Sequence, residues 1–153
     1  MFDIKYDVPM EIFLEEAKSI LHEHWEELAL NKDKIILKPD AIKYKLLQDN
    51  NILYNIVIYD GNKIIGYSIL FIQPHLHYSD NIYASVDVIY VSKEYRNGSV
   101  GARLLLATEQ LAKDLKVTVI VHHAKPYVPM IIKPLEKLNY KLYEHIYGKY
   151  IGD

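Results

Sequence analysis

"EYRNGSVGARLL", residues 94–105, joins an apolar alternating run to a long amphipathic one. A helix that starts just after a tight glycine-containing loop presents unpaired backbone N–H groups and the positive end of its dipole, a setting suited to phosphate oxygens. Gly98 and Gly101 would let the backbone turn sharply and approach a ligand closely. Ser99 adds a hydroxyl donor, and Arg96 a positive charge or a hydrogen bond that holds the loop. Together they suit a pyrophosphate. From spacing alone, the two glycines equally well shape an ordinary strand-to-helix turn. Two other phosphate loops are excluded, because no lysine followed by serine or threonine stands here as in a P-loop and the glycine spacing misses the dinucleotide fingerprint.

Working outward, residues 82–91 (IYASVDVIYV) predict a strand, about Val100 to Leu115 a helix, and 117–123 (VTVIVHH) another strand. Strand, crossover helix and strand make a βαβ unit and hence a local parallel pair. Upstream, 52–59 (ILYNIVIY) and 63–73 (KIIGYSILFIQ) flank Asp60-Gly61-Asn62, a strong hairpin signal. Residues 9–30 predict one helix, with Pro9 early and Ile12, Phe13, Ala17, Ile20, Leu21, Trp25 and Leu28 at spacings of three and four. Pro39 and Asp40 lead into a second, shorter one. A polar, histidine-bearing loop, PHLHYSDN, separates the third strand from the one before it. Residues 129–138 predict a further helix and 139–151 (NYKLYEHIYGKYI) one or two closing strands.

Composition narrows the function. The 153 residues, 50% hydrophobic and 25% charged, suit a single globular domain over 1–153 without linkers or repeats. A net charge of -2 with interspersed signs gathers no polyanion, so nucleic acid is not expected as a partner. The absence of cysteine excludes disulfides, thiolate metal sites and a cysteine nucleophile. No run approaches the roughly 18 apolar residues of a membrane span, and the N-terminus lacks the pattern of a signal peptide, so no membrane partner and a cytoplasmic setting are expected. Fourteen tyrosines against three phenylalanines suggest many half-buried rings with hydroxyls reaching outward.

The stretch "VIYVSKEYRNGSVGARLL" resembles motif A of the GNAT superfamily of N-acetyltransferases, in which an Arg/Gln-x-x-Gly-x-Gly/Ala loop binds the pyrophosphate of acetyl-CoA. Arg96 matches its first position and Gly101 its last, while Ser99 stands where the middle glycine is usual and Gly98 is displaced by one. "PLEKLNYKLYE" is similar to the family's "YEKLGF" segment, and the order of elements agrees along essentially the whole chain. More narrowly, "PHLHYSDNIYASVDVIYV" resembles acetyltransferase-type proteins carried by bacteriophages, which would place the protein in the host cytoplasm. The resemblance implies an α/β (α+β) GNAT fold. Its mixed, mostly antiparallel sheet would have six to seven strands, a central splayed parallel pair and about four flanking helices. It also implies acetyl-CoA as cosubstrate. The pantetheine arm would bond the backbone near Ile89, Tyr90 and Val91, and the diphosphate would meet the amides of Arg96, Asn97, Gly98, Ser99, Val100, Gly101 and Ala102.

The implied reaction moves an acetyl group from a thioester to the amine of a small molecule or protein, so a base must take a proton from the amine. Asp87 interrupts an apolar strand, and strict alternation puts it on one face with Ser85 and Ile89. A carboxylate is costly to bury unpaired, so Asp87 should face water, a partner or a cleft. The matching family position often carries a carboxylate that acts as base or orients the substrate. A salt-bridged structural aspartate is the other reading. The family's acid, a tyrosine, corresponds to Leu135, which leaves Tyr127 and Tyr147 as candidates to protonate the thiolate. His75, His77 and Tyr78, with Trp25 and His122, are candidates to line the acceptor pocket. No histidine pair has acidic or cysteine partners at zinc spacing, so no metal is expected. Exposed tyrosines on the closing strands would suit a homodimer. Two alternatives share the fold: a catalytically degenerate CoA-binding module, and a phage protein that acts on a host protein by surface contact alone.

Overall fold

Alternation along residues 53–60 sends side chains into two cores at once. In the computed structural model, which describes residues 1–152, strand β2 (Leu53–Asp60) is buried over nearly its whole length. Leu53, Val57 and Tyr59 enter one core, Ile56 and Ile58 the other. A strand covered on both faces reads as a continuous apolar run. Around it the elements run β1 (Asp3–Tyr6), α1 (Met10–Glu16), α2 (Lys18–Leu28), α3 (Ala41–Asp49), β2, β3 (Lys63–His75), β4 (Tyr78–Val91), α4 (Val100–Asp114), β5 (Val119–His122) and α5 (Pro129–Lys137). The sheet has the order β1-β2-β3-β4-β5, antiparallel except for the parallel pair β4–β5.

Two compact units divide the chain. The first holds Met1–Ala29 and Leu37–His123, and with them the whole sheet. On one face of that sheet, Met10, Phe13, Ala17 and Ile20 of the N-terminal helices pack with Tyr67, Ile69 and Tyr90; on the other, Val100, Leu104 and Ala107 of α4 pack with Ile65, Leu70 and Val86. The second unit holds Leu30–Ile36 and the segment from Ala124 onward, including α5. Within it, Lys34 Nζ lies over the Tyr150 ring at 4.8 Å.

Among the described residues there are five strands and five helices, where six to seven strands and about four helices were expected. The predicted helix over 9–30 is kinked at Ala17 into α1 and α2. Helical bonding continues through the kink, since Ala17 N–H donates to Phe13 and Leu21 N–H to Ala17. The buried Ala17 sits at the bend, so both halves keep an apolar face on the sheet. Residues 139–151 carry a strand-like sequence but form no strand, because a strand exists only through a ladder partner. The expected polar loop between β3 and β4 is instead the end of a long hairpin, with a turn at Leu76-His77. By contrast, the Pro39-Asp40 start is as read: Asp40 Oδ1 caps α3 by accepting from Lys43 N–H at 3.1 Å.

β1, which sequence periodicity did not indicate, is pinned by a buried amide. Asn55 on β2 is fully buried; its Oδ1 accepts from Val8 N–H at 2.9 Å and its Nδ2 donates to Val8 C=O at 2.7 Å. Just before Val8, Asp7 takes a left-handed φ of 50°, and the Asn55 clamp offsets that strain where β1 hands over to α1. Asn55→Leu leaves the Val8 amide without its acceptor, and unfolding in urea should show a loss of about 3 kcal/mol with an unchanged m-value.

Candidate active site

Asp87 is where β4 changes its facing. Ile69 of β3 pairs with Val88 and Leu70 with Val86, so Asp87 is left over as a bulge residue. Below the bulge Ala84 and Val86 enter the α4-side core, and above it Ile89 and Val91 pack there too, while Val88 and Tyr90 face the N-terminal helices. The expected shared face of Ser85, Asp87 and Ile89 is therefore broken. Ser85 pairs with Phe71 on the helical side and Ile89 with Ser68 on the other. The Asp87 carboxylate is exposed. Its charge reaches Tyr44 of α3, whose hydroxyl is pushed up first by burial and then by Asp87.

At the same point β4 and β5 stop pairing. Their ladder joins Tyr83–Val86 to Val119–His122, and its last bond runs from His123 N–H to Val86 C=O at 3.2 Å. From Val88 to Val91, β4 is paired with β3 alone among the described residues. Beyond Val91 a single 3-10 turn (Lys93–Tyr95) leads into the loop and α4. The amides of Asn97, Gly98, Ser99, Val100, Gly101 and Ala102 donate to no protein acceptor among the described residues; the first bonded amide of the helix is Arg103, to Ser99 C=O at 2.9 Å. Gly98 and Gly101 have no left-handed φ, so the turn itself does not require them, contrary to the expectation of a sharp glycine turn. A Cβ at either would meet nothing within 4 Å. The space over both is open, and six convergent amides at a helix start suit an anion there.

Arg96, expected to supply a charge or hold the loop, holds it. Its Nη1 and Nη2 donate to the two oxygens of Glu27 at 2.7 Å each, and its Nε donates to Val91 C=O at 2.8 Å. The guanidinium carbon lies 5.0 Å from the centre of the Tyr90 ring. Bonding to Arg96 brings the Glu27 carboxyl down to about 2 against the opposing effect of burial. One turn earlier on α2, Glu23 accepts from Tyr90 Oη at 3.0 Å, Ser92 Oγ at 3.1 Å and Lys93 N–H at 3.1 Å. Burial works to raise the Glu23 carboxyl, and these donors with Arg96 outweigh it and hold it low. The Tyr90 hydroxyl also lies 2.8 Å from Glu27 Oε2. Beside them His24 stacks on Tyr90 with ring centres 4.4 Å apart, and its Nδ1 shares a 2.6 Å hydrogen bond with the buried Tyr67 hydroxyl.

The first unit thus gathers Asp87, Tyr44, the open strand edge and the loop. Trp25 is half-buried on α2 beside His22. His75, His77 and Tyr78 cluster at the hairpin tip, with His75 4.6 Å from Tyr78 ring to ring. Nine residues along β4 part Tyr78 from Asp87, up to roughly 30 Å of extended backbone, so the tip and the bulge are not brought together. His122 ends β5, and His123 Nε2 lies 2.8 Å from Ser85 Oγ. Tyr127 and Tyr147 belong to the second unit and are exposed, and Leu135 is buried in α5. Among the described residues no three His, Asp or Glu side chains are placed to hold a metal ion. Sequence reasoning passed over Glu23, Tyr44 and Tyr67, and weighed His24 only as a metal ligand. The one available signal was Glu23 and Glu27 four apart on a predicted helix, which places them on one face.

Residues 13–130 match the acetyltransferase (GNAT) family, and the chain belongs to it. No curated protein matches the chain. Among solved structures it is similar to an aminoglycoside acetyltransferase from an uncultured soil metagenomic sample in complex with sisomicin, at 18% identity and a TM-score of 0.76 over 99% of this chain and 95% of that one. It is also similar to a ribosomal-protein-alanine N-acetyltransferase from Brucella melitensis biovar Abortus, at 16% identity and 0.74 over 99% and 100%. A predicted acetyltransferase with acetyl-CoA from Clostridium acetobutylicum matches at 14% and 0.69, over 98% and 96%. At such identities the likeness is one of fold.

His122 supplies a pH signature. Burial lowers its imidazole to about 4, with Glu109 opposing and His123 adding to the effect. The unfolded chain binds this proton near 6.5, so between about pH 6.5 and 4 it holds more protons than the fold and stability falls as pH drops, by up to about 3 kcal/mol. Glu27 acts lower: its contribution is full above about 4.5 and is lost as pH falls toward 2. Urea denaturation at pH 7, 5.5 and 4 should show this slope in the native chain and a flatter one in His122→Gln.

Proposed function

We propose that the protein is an acetyl-CoA-dependent N-acetyltransferase that moves an acetyl group to a primary amine of a small molecule or protein by direct attack in a ternary complex. The observation that carries this reading is the coincidence, within one unit, of a β4–β5 ladder that ends at Val86, a helix start with six uncommitted amides, and a carboxylate at the bulge between them. The diphosphate would rest on the amides of Asn97–Ala102, without that of Arg96, which donates to Lys93 C=O at 3.3 Å, and Gly98 and Gly101 leave it room. The pantetheine amides would bond the open backbone edge near Ile89, Tyr90 and Val91.

Asp87 takes the base role because it is the carboxylate nearest the point where the strands part and because its exposure keeps it ready to accept a proton, directly or through water. The departing thiol has a reference pKa of about 8.5, so its thiolate leaves without a strong acid; Tyr127 and Tyr147 stay proposals for that proton. Trp25 and His122 are proposed for the acceptor side, and His75, His77 and Tyr78, at the far hairpin tip, for the outer part that only a long acceptor reaches. The sisomicin complex and the ribosomal-protein-alanine enzyme among the similar structures are the reason both acceptor classes are kept. A cytoplasmic setting, that of a bacterial host for a phage-borne gene, and a homodimer complete the proposal.

Acetyl-CoA at about 100 times its Kd should stabilise the chain by about 2.7 kcal/mol, read as a rise in melting temperature. Gly101→Val, whose side chain enters open space, should keep the melting temperature of the free protein and abolish the rise; an unaltered rise would place the donor elsewhere. With an amine acceptor in hand, Asp87→Asn should cut kcat/KM about 10²–10⁴-fold while acetyl-CoA still binds. A full set of amines and peptides left unacetylated by a chain that binds acetyl-CoA would favour the degenerate module.

A further inference from the structure

The sequence leaves Arg96 two roles, a charge toward the anion or a bond that holds the loop, and its guanidinium is spent on the second, behind the loop. All of its side-chain hydrogen bonds run inward: two to Glu27 and one to Val91 C=O, with Tyr90 stacked beneath. Glu27 has 21% side-chain exposure and Arg96 15%, so solvent screens the pair weakly. Glu23 continues the same contact by accepting from Tyr90, Ser92 and the Lys93 amide. One face of α2 therefore grips four residues, Tyr90, Ser92, Lys93 and Arg96, that immediately precede the uncommitted amides. The helical backbone aims the amides of Val100, Gly101 and Ala102, whereas those of Asn97, Gly98 and Ser99 have no internal acceptor to fix their direction. Something else must, because six dipoles favour an anion only if they already converge.

We propose that Glu27, with Glu23 behind it, is a positioning residue for the donor's diphosphate: it holds Arg96 from the far side, and thereby sets where the amides of Asn97, Gly98 and Ser99 point. Arg96 acts as the linchpin of that anchor and contributes no direct ligand to the phosphates. The inference rests on the acetyl-CoA reading above and deepens it. It also makes donor affinity depend on α2, a helix the loop touches through these side chains.

The test uses two probes that share the thiol arm, of which only CoA carries the diphosphate and its 3′-phosphoadenosine. Calorimetric titration of the full chain with CoA and with pantetheine should give, for Glu27→Gln, a CoA affinity weakened by about tenfold or more, the scale of an impaired buried charge pair, with pantetheine affinity unchanged. Arg96→Lys, which keeps the charge and loses the fork, should behave alike. Tyr90→Phe removes only the hydroxyl shared by the two carboxylates and should show the same selective loss at a smaller size, so the inference stays testable even if Glu27→Gln folds poorly. Equal weakening of both ligands, or wild-type CoA affinity in a folded Glu27→Gln, overturns the positioning role. A native chain that binds neither probe overturns the acetyl-donor reading itself, and the role with it.

Discussion

A ladder that stops at Val86 organises the site. Parallel pairing between β4 and β5 lasts four residues, and the extra residue at Asp87 turns the rest of β4 so that Val88 and Tyr90 face the helices that Ala84 and Val86 face away from. A bulge bends and twists its strand. One inserted residue thus releases the backbone edge, displays a carboxylate at the release point, and aims Tyr90 at α2. Had the register run on without it, Asp87 would have stood on a regular strand and Tyr90 on the opposite face.

Tyr90 links the bulge to the loop. Its hydroxyl reaches Glu23 and Glu27 and its ring supports Arg96, so the charge at the head of the loop is neutralised on the protein side. The loop itself has neither a capping hydroxyl, since Ser99 makes no cap bond, nor a left-handed glycine. The glycines at 98 and 101 keep a volume clear. Their smallness, and not their flexibility, is what the structure uses.

Much of this was legible in residue order. The hairpin at Asp60-Gly61-Asn62, the βαβ unit across 82–123 and the capped start of α3 are local matters, set by turn chemistry, hydrophobic period and a side chain three residues from its acceptor. The resemblance of the loop to motif A agrees with the family to which the chain belongs. Less legible were features that require a partner far along the chain. β1 exists because Asn55 and β2 hold it, the 139–151 segment lacks a ladder despite its composition, and the α2 carboxylates find residues some seventy positions away.

By itself, the sequence determined the succession of elements, the loop that opens α4 and the carboxylate in β4, since each depends on neighbours within a few residues. Tertiary structure alone decided which way those groups face. Strand facing has a period of two, so a single unpaired residue at Asp87 reverses everything after it, and no local pattern announces where β3 will skip a partner. The inward turn of Arg96 was decided in the same way, by a helix whose glutamates come within reach only once the sheet has formed.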